Sequence, residues 1–183
     1  VRVGAYVNDV QQLDLQSHSY AVDMYVWFRW CDEKIAPSQT VEFMNSFELW
    51  GHILTYETEE PVKEPDGCFY HLFRNQGKFN TKLPLADYPF DTQRLVVEFE
   101  DSASDAGAVQ FVPDVDSIAK NPLMTLPGYE IGAPRLTVAD FPYVTRFGAK
   151  GSGAFPAYSR VTIEIPVTRP AGTYSVKLLL PIL

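Results

Sequence analysis

No stretch of the 183-residue chain approaches the roughly 18–20 consecutive apolar residues needed to cross a bilayer. The nearest is the terminal Leu178-Leu179-Leu180-Pro181-Ile182-Leu183. Basic charge is scarce too, with 15 Lys and Arg against 23 Asp and Glu, a formal net charge of −8. This excludes the basic stripe that a nucleic-acid partner requires. It suits cationic ligands, although most of the charge is solvated surface. The three histidines, His18, His52 and His71, lie far apart in no paired motif. The serines of Ser102-Ala103-Ser104 lack a nucleophile-elbow context. Neither an enzyme nor a cofactor is therefore expected. Cysteine is limited to Cys31 and Cys68, which lack metal-site spacing. One disulfide or two free thiols both fit, and the reading leans toward free thiols. There is no Asn-x-Ser/Thr acceptor site, in keeping with a bacterial source. The chain begins without an initiator Met or signal peptide, which reads as a mature or trimmed polypeptide.

What is present is alternation. Tyr20, Val22, Met24, Val26, Phe28 and Trp30 share one face of a period-two run, and Asp23, Tyr25, Trp27 and Arg29 share the other. Such a run is a strand buried on one side. Val1, Val3, Ala5 and Val7 repeat the pattern, as do Leu95, Val97 and Phe99, then Val161, Ile163, Ile165 and Val167. Turn chemistry separates the runs. Pro65-Asp66-Gly67 predicts a tight hairpin, Asn75-Gln76-Gly77 predicts a second reversal, and Gly148–Gly153 reads as a flexible hairpin tip. The 14 prolines, spread along the chain, leave no room for a helix beyond about two turns. An apolar fraction of 46% with no internal repeat or linker gives one domain. The expected fold is all-β: an immunoglobulin-like β-sandwich of about ten strands.

The segment Leu83–Gln93 contains Tyr88-Pro89-Phe90-Asp91-Thr92-Gln93, which resembles the Tyr-Pro-Phe-Asp-x-Gln signature of Cys-loop receptors. Trp30-Cys31-Asp32 resembles the Trp-x-Asp that closes that family's second strand. Pro65-Asp66-Gly67 lies at the spacing before Tyr88 found in bacterial members, and Arg169, Tyr174 and Pro181 keep the register of its pre-membrane segment. The chain thus resembles the extracellular ligand-binding domain of prokaryotic pentameric ligand-gated ion channels. It departs from the family in three places. Thr81 and Leu95 stand where eukaryotic members carry the disulfide that brackets the signature. Pro37 and Gln39 replace the Trp and Pro that precede Val41-Glu42-Phe43-Met44-Asn45. The stretch between Trp30 and Val41 is also short.

The resemblance implies an extracellular domain over residues 1–176 and the start of a first membrane helix over 177–183. It implies a homopentamer of identical subunits in a bacterial inner membrane, the domain facing the periplasm and membrane helices lying beyond the chain. Function would be recognition of a small ligand between subunits, coupled to pore opening. The alternative is a soluble, secreted β-sandwich that binds a small molecule without a channel. Tyr25 takes the place of the family's complementary-side aromatic, with Trp27 beside it; an aromatic face attracts an amine by roughly 0.5–2 kcal/mol. Ser102 occupies the principal-side Trp position, amid Glu98, Glu100, Asp101 and Asp105. A carboxylate here, Glu100 among the ligand-binding candidates, would then pair with a primary amine or divalent cation, the alternative being a simple solvated acidic loop. The Arg146–Tyr158 hairpin supplies Phe147, Phe155 and Tyr158 as a lid. For coupling, the resemblance implies a cluster of Asp91 and Arg169, shielded by Pro89 and Phe90 and joined by Asp14 from the first hairpin. His18, in that same loop, is a candidate proton sensor, so the ligand classes left open are a cationic amine, a proton, a divalent cation or another small metabolite.

Overall fold

The computed structural model describes residues 1–48, 51–88, 90–150 and 153–170. These form eleven strands and one four-residue helix, arranged as two facing sheets. The first sheet contains β1 (Arg2–Asp14), β2 (Ser19–Trp30), β4 (Ile53–Tyr56), β5 (Val62–Lys63), β6 (Phe69–Asn80) and β8 (Val112–Lys120). The second contains β3 (Val41–Phe43), β7 (Thr92–Asp101), β9 (Glu130–Ile131), β10 (Arg135–Pro142) and β11 (Ala157–Thr168). Helix α1 (Pro37–Thr40) starts on a proline and bridges β2 to β3. The order is β4-β6-β2-β1-β8 against β10-β11-β7-β3, with β5 beside β6 and β9 beside β11. All these pairs are antiparallel except β1 with β8. The domain is an all-β sandwich.

The faces follow the sequence alternation. Tyr20, Val22, Met24, Val26 and Phe28 of β2 are at most 2% exposed. They meet Leu95, Val97 and Phe99 of β7 and Val161, Ile163, Ile165 and Val167 of β11, all at 0%. Each such side chain contributes about 1.5–3 kcal/mol on burial. Phe28 centres the aromatic packing, within 5.6–6.1 Å of Phe73, Phe99 and Phe111. Tyr20 ties the sheets together directly: its hydroxyl donates to the Val96 carbonyl at 2.6 Å and accepts from the Val96 N–H at 2.7 Å. Burial pushes that phenol well above its usual pKa, so it stays a donor. Where β3 ends after three residues, Asn45 takes over its ladder, accepting from Glu98 N–H and donating to the Val96 carbonyl.

Two expectations are corrected. Asn75-Gln76-Gly77 is not a reversal, because β6 runs straight through it and pairs Met24 with Asn75 and Val22 with Gly77. The glycine serves packing: a Cβ at Gly77 would lie 2.4 Å from the His52 ring. The cysteines, read as leaning toward free thiols, form a Cys31–Cys68 disulfide. The ladder pairs Trp30 with Phe69, so the next residues outward, 31 and 68, stand opposite each other. Closing a 37-residue separation is worth up to roughly 4 kcal/mol by chain entropy. The Pro65-Asp66-Gly67 turn forms, with Gly67 at φ +86° and its N–H on the Glu64 carbonyl.

Candidate functional site

Strands β7 and β11 pair over eight consecutive positions, from Val161 opposite Phe99 to Thr168 opposite Thr92. One step beyond each end of this register stand two acid–arginine partners, Glu100 with Arg160 and Asp91 with Arg169. Both form ion pairs. They lie nine positions apart on each strand, about 30 Å at ~3.3 Å per residue.

At the first end, Arg160 Nε lies 2.7 Å from Glu100 Oε1, with side chains 14% and 5% exposed. The Tyr143 hydroxyl donates to Glu100 Oε2 at 3.0 Å and accepts from Arg160 at 3.1 Å. The guanidinium also sits 3.5 Å from the Phe141 ring centroid and 3.7 Å from a Glu98 oxygen. Burial, then the bond to Glu100, raises the Tyr143 pKa above the ordinary phenol value. Around Tyr143 gather Phe147 at 5.2 Å and Tyr158 at 5.6 Å, ring to ring. Their rings line a recess of about 230 Å³ with Glu42, Met44, Glu100, Asp101 and Ser102. Phe147 adopts φ +52°, an unusual backbone for a bulky residue, at the head of the β10–β11 hairpin. Phe155 lies across the hairpin in a second recess of about 620 Å³, which Phe147 and Tyr158 also line, and Arg146 stacks on it at 5.1 Å.

The structure therefore brings Glu100, Ser102, Phe147 and Tyr158 together, with Phe155 adjoining. It does not leave Glu100 available for an amine, as expected above, because both oxygens are already hydrogen-bonded within the chain. Asp101 is likewise taken, accepting from Thr40 and from the Ala103 N–H. The exposed carboxylate on the recess is Glu42. Tyr25 and Trp27 lie on the outward face of the other sheet. Arg74 covers Tyr25 at 5.6 Å while pairing with Asp23 at 2.6 Å. The Trp27 indole donates to Asp114 at 3.0 Å and lies on Gly4, where a Cβ would come within 2.1 Å of the ring. Among the described residues no group of three or more His, Cys, Asp or Glu could hold a metal ion.

At the second end, Arg169 Nε is 2.9 Å from Asp91 Oδ1, with side chains 6% and 4% exposed. Gln93 Nε2 donates to the other Asp91 oxygen and to the Pro84 carbonyl. The guanidinium is held between Tyr88, at 4.6 Å, and Tyr129, at 4.9 Å. These two rings flank the guanidinium; of the residues expected to shield it, Phe90 is 53% exposed and Pro89 lies outside the described residues. Asp14 does not join the pair. Its two oxygens accept from the N–H groups of Gln16 and Ser17 and from the Ser17 hydroxyl, which hold its pKa below the usual carboxylate value. The turn it closes reaches the Asp91 segment instead through His18, whose Nδ1 accepts from the Leu83 N–H at 3.0 Å.

Sequence reasoning missed Tyr143, Arg160, Glu42 and Tyr129. The aromatic cluster Phe141-Pro142-Tyr143, just ahead of the hairpin, was a usable signal for the first. Arg160 becomes visible only once the β7–β11 register is known. Tyr129, a lone aromatic in a loop, carries no local signal.

No family model matches the chain. The chain is similar to the proton-gated ion channel of Gloeobacter violaceus, 22% identical over 145 residues, a match covering 72% of this chain and 40% of that protein. It thus spans well under half the length of the curated relative it matches. That relative is an ion channel, and the similarity agrees with the resemblance read from the Tyr88–Gln93 signature. Among the described residues no helix is long and apolar enough to cross a membrane.

Proposed function

We propose that this chain is the extracellular domain of a pentameric ion channel, in which a small ligand bound between subunits is coupled to pore opening. The observation that carries the reading is the β7–β11 ribbon, with an aromatic recess at one end and a sealed Asp91–Arg169 pair at the other. The recess of Tyr143, Phe147 and Tyr158 is the principal half of the ligand site. The outward face bearing Tyr25 and Trp27 on a neighbouring copy is the complementary half. Closure of the β10–β11 hairpin pulls on β11 through Arg160, and the Asp91–Arg169 pair passes that strain to the membrane end. The domain faces the periplasm of a bacterial inner membrane, and residues 177–183, outside the described residues, begin the first membrane helix.

The test is electrophysiology on the product of the complete natural reading frame, challenged with amines, acid and calcium. A ligand-evoked current is expected, lost in Arg169→Ala at equal surface abundance. A variant that assembles and gates as the parent does would remove Asp91–Arg169 from the mechanism. A reading frame that encodes no membrane segments would overturn the channel reading itself.

A further inference from the structure

The β1–β2 turn and the segment leading into the Asp91 loop meet at a histidine. Leu83 N–H donates to His18 Nδ1 at 3.0 Å, and Thr81 N–H donates to the His18 carbonyl at 3.2 Å. Leu83 is 2% exposed, and a buried N–H deprived of its acceptor is costly. His18 is half-buried and holds φ +54°, in the left-handed region that non-glycine residues seldom occupy. The turn thus accepts an unusual backbone conformation while presenting the ring to Leu83.

A ring nitrogen that accepts a hydrogen bond carries no proton, so the neutral His18 ring bears its single proton on Nε2. A second proton binds at Nδ1, leaves the ring cationic, and sets an N–H against the Leu83 N–H. That contact changes from attraction to repulsion. Histidine is also the side chain whose charge ordinarily changes in the neutral to mildly acidic range. We propose that His18 is a proton-released latch: protonation of its ring frees the β1–β2 turn from the Leu83 side of the 81–91 segment. Asp14 is the carboxylate on the same turn, its oxygens bonded to Gln16 and Ser17. The opposing 81–91 segment carries Lys82, next to Leu83 in the chain, and farther along Asp87 and Asp91. The backbone bond from Thr81 does not depend on ring charge, so the turn opens about that point and does not depart. Any effect of the release on gating rests on the channel reading above; the latch itself does not.

Nuclear magnetic resonance of the ¹⁵N-labelled chain between about pH 8 and pH 5 tests it. The Leu83 amide shift is expected to follow the His18 ring titration with a common midpoint. Its hydrogen exchange, corrected for intrinsic pH dependence, should rise by about tenfold across that midpoint. His18→Asn offers a carbonyl oxygen that accepts at any pH and tolerates the left-handed backbone. It should abolish both responses. A Leu83 amide that stays still while His18 titrates in the unmodified chain overturns the latch, as does a His18 ring that takes up no proton in this range. Both decisive readings come from the unmodified chain, so they hold even if the variant folds poorly. Neither needs a pore, so failure here leaves the channel reading untouched, and loss of that reading leaves the latch standing.

Discussion

The same two strands carry a carboxylate–guanidinium pair at each end, set by one register, yet the surroundings make them different devices. Asp91 and Arg169 are almost fully buried, flanked by Tyr88 and Tyr129, and further bound by Gln93. Glu100 is as buried as Asp91, but Arg160 is more exposed than Arg169, and the pair's remaining hydrogen-bond partner, Tyr143, belongs to the base of the β10–β11 hairpin. The first pair fastens β7 to β11 where both strands end. The second connects the ribbon to a hairpin whose rings line a recess. A buried pair costs most when one partner is removed, because the survivor keeps its charge without its neutraliser. A pair at the rim of a recess can be partly rescued by water.

The comparison breaks most sharply at the sealed end. Arg169→Met should cost about 3–5 kcal/mol by leaving the Asp91 carboxylate buried and unneutralised, and urea unfolding of the chain would measure it. Arg160→Met should cost less, about 2–3 kcal/mol, since Arg160 is the more exposed of the two arginines and the space it leaves admits water to Glu100. A loss at Arg160 equal to or above that at Arg169 would mean the two ends are equally sealed. The finest probe is Tyr143→Phe, expected to cost about 1–2 kcal/mol through the lost hydrogen bonds to Glu100 and from Arg160. The folded-state pKa of Tyr143 is raised, so its contribution is fully present below the unfolded phenol value and is lost as pH rises through the folded one. An ultraviolet titration should therefore show one fewer late-ionising tyrosine in the variant; an unchanged alkaline limb would place the Tyr143 phenol in open solvent.

Much of the fold was legible because burial on one face of a strand imposes a two-residue period. Tyr20 to Trp30 and Val161 to Val167 display it without interruption, and both became core strands. The Asn75-Gln76-Gly77 segment misled because its residues favour turns, while twelve consecutive ladder partners on β2 outweighed that local preference. The signature segment pointed to Asp91, and alignment of the tail pointed to Arg169. Nothing in either segment pointed to Tyr129, which arrives from a different loop. Glu100 was recognised as an acid near the recess, but its engagement with Arg160 depends on a residue sixty positions away.

By itself the amino-acid sequence determined which side chains of the core strands must face inward, where the Pro65-Asp66-Gly67 turn falls, and that no long helix forms among the described residues. Those properties depend on hydrophobic period and backbone stereochemistry, which act over a few residues. The tertiary structure alone decided that Cys31 meets Cys68, that Glu100 is spent on Arg160, and that His18 latches onto Leu83. Each depends on strand register or loop docking, which positions residues far apart in the chain to within a hydrogen bond's length.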